Sequence, residues 1–143
     1  MNRIYSRKHP EKLLHIVRRK EEMIRQSSGR EDLSPKDQFL QIASLKLPKN
    51  KTFQAHQHIW REGEPLIIPQ ESWIVISGCV QVLFYDVDGV FLDSHNLFSG
   101  DVSITFEGGH NYVIHAENTL IYEVKSARYY GQEKDKTFIT TGI

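Results

Sequence analysis

TFQAHQHIWREGEPLIIPQESWIVISG (residues 52–78) carries His56 and His58 two apart, then Glu71 seven residues before Gly78. Side chains two apart on a β-strand share a face. On a strand over "TFQAHQH" (52–58), His56 and His58 therefore point the same way, together with Gln54. "SWIVISG" (72–78) is an apolar run of the kind that fills a core, closed by a glycine. Glu71 shares its face with Trp73, Val75 and Ser77, so a strand that turns Trp73 and Val75 inward turns Glu71 inward as well. Two readings follow. The two imidazoles and the carboxylate converge on one interior point, or they are polar residues on a wet strand.

The sequence on either side of this stretch favours strands. "QFLQIASLKL" (38–47) is apolar and ends at the turn signal "PKN". "CVQVLFYD" (79–86) sets Val80, Val82 and Phe84 against Cys79, Gln81 and Leu83. Asp88-Gly89 is the strongest hairpin signal in the chain, and "VFLDSHNL" (90–97) returns from it. Further strands are expected at 102–106, 110–116 and 119–125, with turns at "SGD", "EGG" and "EN". About eight short strands with hairpin turns predict an all-β sandwich or barrel, with a jelly roll as the preferred form.

Residues 1–37 differ from the rest and are read as an N-terminal arm, with the barrel and its C-terminal tail over 38–143. "KLLHIV" (12–17) suits strand or helix, and "RRKEEMIRQS" (18–27) suits a helix of two or three turns. "SSGREDLSPKD" (27–37) reads as loop. The polar tail from 126 has no assigned structure. "LLHIV" offers a strand to a neighbour's sheet edge, which predicts a homodimer.

Composition narrows the function classes. Eighteen basic residues balance eighteen acidic ones, so no global field draws in nucleic acid or an anionic membrane. Residues 1–30 carry nine Lys or Arg against three acids, which leaves nine basic and fifteen acidic residues beyond them. That arm suits an acidic partner or a solvated face. It lacks the interleaved aromatics of a single-strand binder, so no nucleic-acid partner is expected. The single Cys79 excludes an internal disulfide, and no apolar run is long enough to span a bilayer. No apolar segment of signal-peptide length follows the charged start, so the expected compartment is the cytoplasm.

Imidazoles and a carboxylate suit a first-row divalent ion such as Zn, Fe, Mn or Ni. His110 adds a third imidazole. It opens a strand directly after Gly108-Gly109, shares its face with Tyr112 and Ile114, and has little bulk beside it. "HQH" (56–58) followed by Glu71 and six residues to Gly78 resembles the first cupin motif, and "GDVSITFEGGH" (100–110) resembles the second. Together with "PQESWIVISG", "FYDVDG", "GGHNY" and "YEVKSARYYGQEKDK", these motifs resemble the small cupin-fold metalloproteins of bacterial surface-polysaccharide loci, similar in fold to sugar-nucleotide isomerases and epimerases. The resemblance covers residues 38 to 125. It implies a cupin jelly-roll barrel whose mouth holds a divalent metal through His56, His58, Glu71 and His110, with a sugar or sugar nucleotide as small-molecule ligand. Without a metal, a histidine (His58 or His110) would act as base and Tyr112 as acid. A non-catalytic carbohydrate-binding module is the alternative.

The motifs depart from the family pattern. Twelve residues separate His58 from Glu71 where three or four are usual, which makes Glu62 the competing ligand. The inserted "IWREGEPLIIPQ" is expected to form a loop over the barrel mouth, bringing Arg61, Glu62 or Glu64 to the ligand or covering an edge. Phe106 stands where a proline is usual, and the step to His110 is one residue short, so His115 is the fallback ligand. Tyr122 is a second candidate acid, and Trp60 and Trp73 are candidate sugar platforms. His95 is expected on the surface, and Lys125, Lys134, Asp135 and Lys136 in a solvated tail.

Overall fold

The computed structural model describes residues 1–59, 68–126 and 136–140. Two five-stranded antiparallel sheets face each other in a jelly roll. The first runs β12(Lys136–Phe138), β5(His56–His58), β10(Gly109–Ile114), β7(Val80–Tyr85), β8(Phe91–Leu97). The second runs β3(Gly29–Asp32), β4(Leu40–Leu47), β11(Thr119–Ser126), β6(Glu71–Ser77), β9(Val102–Thr105). A separate hairpin, β1(Asn2–Tyr5) with β2(Leu13–Val17), and a six-residue helix α1(Lys20–Arg25) precede them. Of the segment 12–17, Leu13–Val17 is thus a strand, and the helix is shorter than 18–27. Glu22 closes its first turn by accepting the Arg19 backbone N–H at 2.7 Å.

Strand parity builds the core. Trp73 and Val75 of β6, Val80 and Val82 of β7, Tyr112 and Ile114 of β10, and Ile121 of β11 all turn inward and are buried together. The β7–β8 hairpin closes where expected. The Asp86 carbonyl accepts the Gly89 N–H at 2.9 Å, and Gly89 supplies the left-handed φ of 84° that the turn requires.

Two segments depart from the sequence reading. Residues 29–32 form β3, an edge strand paired with β4, where loop was expected. Part of the tail also returns as β12, which pairs with β5 so that Lys136 lies opposite His58 and Phe138 opposite His56. The expected strand 52–58 narrows to 56–58, with Thr52 making an isolated bridge to Val113. Among the described residues no helix is long and apolar enough to cross a membrane.

Candidate metal centre

Four side chains from three strands meet inside one end of the barrel. β5 contributes His56 and His58, β6 contributes Glu71 and β10 contributes His110. All four are buried, and their potential ligand atoms lie within 4.8 Å of one another. Ligands about 2.0–2.2 Å from an ion span at most about 4.4 Å, so this set is within a few tenths of an ångström of a coordinating arrangement. The close approach depends on Gly109. A Cβ there would stand 2.2 Å from Ile139 Cδ1 and 3.2 Å from the His56 carbonyl oxygen. Glycine lets β10 lie against β5 and puts His110 opposite His56 in register.

Groups outside the cluster orient three of the four donors, and His58 is bonded to Glu71. His56 Nδ1 lies 3.1 Å from the Gln54 carbonyl, which can only accept, so Nδ1 carries the proton and Nε2 presents its lone pair to the centre. His110 Nε2 is 3.2 Å from His56 Nε2, and its Nδ1 is 3.0 Å from Thr105 Oγ1, a hydroxyl that can serve either tautomer. Glu71 Oε2 is 2.7 Å from His58 Nε2 and 3.7 Å from His110 Nε2, while its Oε1 accepts the Trp73 indole N–H at 2.9 Å. Three imidazoles and one anchored carboxylate are a donor set that fits a first-row divalent ion.

Electrostatics keep these groups in ligating form. Burial, reinforced by His110, pushes the His56 imidazolium pKa down to about 3. Burial pushes His110 down as well. Burial works the other way on Glu71, but His110 and the hydrogen bond from His58 outweigh it and hold its carboxyl below the usual range. At neutral pH the centre therefore has neutral His56 and His110 beside an ionised Glu71.

Above the centre lies a cavity of about 410 Å³, lined by Phe53, Trp73 and Tyr112 among others, and by charged groups absent from the sequence reading. The most prominent is Glu123 of β11. It is buried opposite Trp73 and accepts that indole N–H at 3.1 Å and the Arg30 guanidinium at 2.8 Å. One indole thus bridges two carboxylates. Burial, with Glu71 nearby, pushes the Glu123 pKa up against the pull of Arg30. Lys125 and Lys136, expected in a solvated tail, also line the cavity, and Lys125 is buried. The cue was in "TLIYEVK": a polar set, Glu123 and Lys125, alternates with Tyr122 and Val124, and the barrel turns the polar set inward.

The remaining candidates fall outside the centre. His115 is exposed beyond the end of β10 and pairs with Gln81 at 2.9 Å, so it is no substitute ligand. Tyr122 lies on the opposite face of β11, over a groove shared with Ile16 and Leu33, and is not placed to serve as an acid in the cavity. His95 is exposed and bonded to Asp93. Trp73 packs flat on Tyr112, with centroids 3.6 Å apart, so its ring is part of the core and offers little platform. Glu62 lies outside the described residues, as do Trp60, Arg61, Glu64, Lys134 and Asp135; among the described residues the carboxylate that joins the three imidazoles is Glu71.

Solved structures with the same architecture share this topology. An uncharacterised conserved protein with a double-stranded β-helix domain from Klebsiella pneumoniae superposes with a TM-score of 0.60 at 16% identity, over 90% of this chain and 100% of that one. The chain has the cupin fold. KdgF from Halomonas sp. is similar over 71% of this chain and 79% of its own, with a TM-score of 0.56 and 17% identity. The capsular polysaccharide assembling protein CapF from Staphylococcus aureus is similar over 78% of this chain but only 32% of its own length (TM-score 0.57, 14% identity). No family model matches the sequence, and no curated protein matches it significantly.

Proposed function

We propose that this cupin binds one divalent metal ion through His56, His58, Glu71 and His110 and acts at that centre on a sugar or sugar nucleotide, in the manner of an isomerase or epimerase. The observation that carries the reading is the convergence of four buried donors, of which His56, His110 and Glu71 have their outer atoms already held by Gln54, Thr105 and Trp73. When bound, the ion would act as a Lewis acid on a carbonyl or hydroxyl of the ligand. Tyr112 supplies a proton in this scheme. Burial and the charge of Glu71 hold its pKa well above the ordinary phenol, and its hydroxyl lies 3.4 Å from Ser103 Oγ and 3.5 Å from His110 Nδ1. The sugar class draws support from the fold shared with CapF, which is described as a capsular polysaccharide assembling protein.

The test is metal analysis of protein purified without a polyhistidine tag, followed by titration with zinc, iron, manganese and nickel salts. Close to one equivalent, lost in the His110→Ala variant, is the expected result. A metal content below about a tenth of an equivalent with no uptake would reject it. A second reading draws on the 2.7 Å His58–Glu71 pair. Without metal, His58 would remove a proton α to a carbonyl, with His110 and Tyr112 completing the site. An NMR screen of nucleotide sugars in deuterated water separates turnover from simple binding. Line broadening without product or deuterium exchange would favour a non-catalytic carbohydrate-binding module.

We further propose that the protein works as a cytoplasmic homodimer. The β1–β2 hairpin exposes Ile4, Tyr5 and Leu14, and the outer face of β9 exposes Val102 and Ile104, surfaces suited to a second copy. Light scattering of a chain lacking residues 1–30 should give monomer or aggregate; an unchanged dimer would count against the arm.

A further inference from the structure

One wall of the cavity above the centre combines a chain of polar groups with an accessible aromatic ring, and none of these residues belongs to the metal set. Arg30 and Asp32 come from the edge strand β3, Glu123 from β11, and Phe53 from the segment that leads into β5.

The hydrogen bonds of the polar groups leave part of their capacity unused. Arg30 donates from Nε to Asp32 Oδ1 at 2.7 Å and from Nη1 to Glu123 Oε1 at 2.8 Å. Neither bond uses Nη2. Glu123 Oε2 accepts the Trp73 indole N–H at 3.1 Å, and Asp32 Oδ2 takes no hydrogen bond among the described residues. A carboxylate accepts roughly four hydrogen bonds, so both acids keep acceptor capacity, and the guanidinium between them keeps a donor.

Phe53 differs from the other aromatic rings named for this cavity. Trp73 and Tyr112 are stacked flat on each other and are 3% and 2% exposed, whereas Phe53 is 37% exposed. It meets Trp73 edge-on with centroids 5.9 Å apart, and Lys51 Nζ lies 5.2 Å from its ring centre. Apolar surface left to water at the wall of a cavity is surface that a ligand can bury.

These features select a ligand chemistry. A hydroxyl both donates and accepts, so two neighbouring hydroxyls can satisfy an arginine and its flanking carboxylates at once. An ionised phosphate or carboxylate has no proton to give and would face the acceptors of Asp32 and Glu123. The C–H face of a pyranose or cyclitol ring is apolar and slightly positive, which suits the negative face of an aromatic ring.

We infer that this wall is a subsite for the uncharged ring of the ligand, with Asp32, Arg30 and Glu123 binding a pair of neighbouring hydroxyls and Phe53 covering the ring's C–H face. The inference rests on the carbohydrate reading and deepens it, because it assigns recognition of the ring to residues that hold no metal.

The test is ligand-observed NMR titration of the full chain, as purified and zinc-loaded. The probes are the methyl glycosides of glucose, galactose and mannose, cyclohexanol as a ring with one hydroxyl, and uridine diphosphate glucose. At least one glycoside should bind about tenfold or more tighter than cyclohexanol. Phe53→Ala and Asp32→Asn should each weaken that glycoside about tenfold with metal content unchanged, and Phe53→Tyr, which keeps the ring, should restore it to within about twofold. Asp32 is half exposed on an edge strand, so Asp32→Asn tests the wall even if Phe53→Ala disturbs folding. Equal binding of cyclohexanol, or glycoside affinity unchanged in either variant, would overturn the inference and leave the carbohydrate reading standing. So would uridine diphosphate glucose binding where no glycoside does at tens of millimolar. Binding of none of the sugars would overturn both.

Discussion

The histidines inside the barrel and those on its outside have the same chemistry and opposite fates. His56, His58 and His110 are buried within reach of one another, whereas His95 and His115 stand on the surface, each bonded to one nearby side chain. His110 and His115 are only five residues apart, one at the start of β10 and the other just past its end. What separates them is the direction a strand gives each side chain, and direction decides whether an imidazole meets water or two others of its kind. Burial then changes the chemistry, because an imidazole that cannot be charged keeps its lone pair available at any ordinary pH.

Removing an inner histidine is the sharpest way to test that contrast. His110→Ala should lower metal affinity on the order of 100-fold or more, measured by chelator competition on untagged protein. An unaltered affinity would mean that the inner cluster is a packed polar core. The next largest effect is in acid. Between the unfolded value near 6.5 and the His56 value of about 3, the unfolded chain holds a proton that the folded one does not. Stability of the metal-free protein should therefore fall as pH drops from about 6.5 toward 3, by up to about 1.4 kcal/mol per pH unit for each imidazole kept neutral. Loss of the Glu71 charge adds to the fall at the acid end, since its folded value lies below the unfolded one. A thermal-unfolding midpoint that stays level from pH 7 to pH 4, or a His56→Asn variant with the same slope, would break the argument.

Smaller effects sharpen it. Trp73→Phe keeps the ring but deletes the N–H shared by Glu71 and Glu123, and should cost about 1–3 kcal/mol in denaturant unfolding. It should also weaken metal binding about tenfold through the loosened Glu71. His115→Ala, at the far end of the scale, should change stability by less than about 0.5 kcal/mol and leave metal affinity unaltered. A large effect there would show that the outer histidines do more than face solvent.

The sequence was legible where a strand had one apolar face. Trp73 and Val75 turned inward and took Glu71 with them, and the glycine pair before His110 announced the tight approach to β5. Legibility failed where a strand is defined by its partner. "GRED" of β3 and "KTF" of β12 are edge strands, polar and short, and only the ladders to β4 and β5 make them strands. It failed again on β11, where the interior is itself polar. Glu123 and Lys125 face inward because the site is there, while Tyr122 and Val124 find their apolar surroundings in the groove with Ile16 and Leu33. Alternation tells which residues share a wall, and it says which wall is wet only when the core is apolar.

The tryptophan that bridges the two carboxylates is also a natural optical probe. The chain has two tryptophans, so a Trp60→Phe protein would fluoresce from Trp73 alone. Its indole is pinned against Tyr112 and hydrogen-bonded to Glu71, so whatever alters that carboxylate will alter the emission. Occupancy of the centre can then be followed in a cuvette, without dyes or labels.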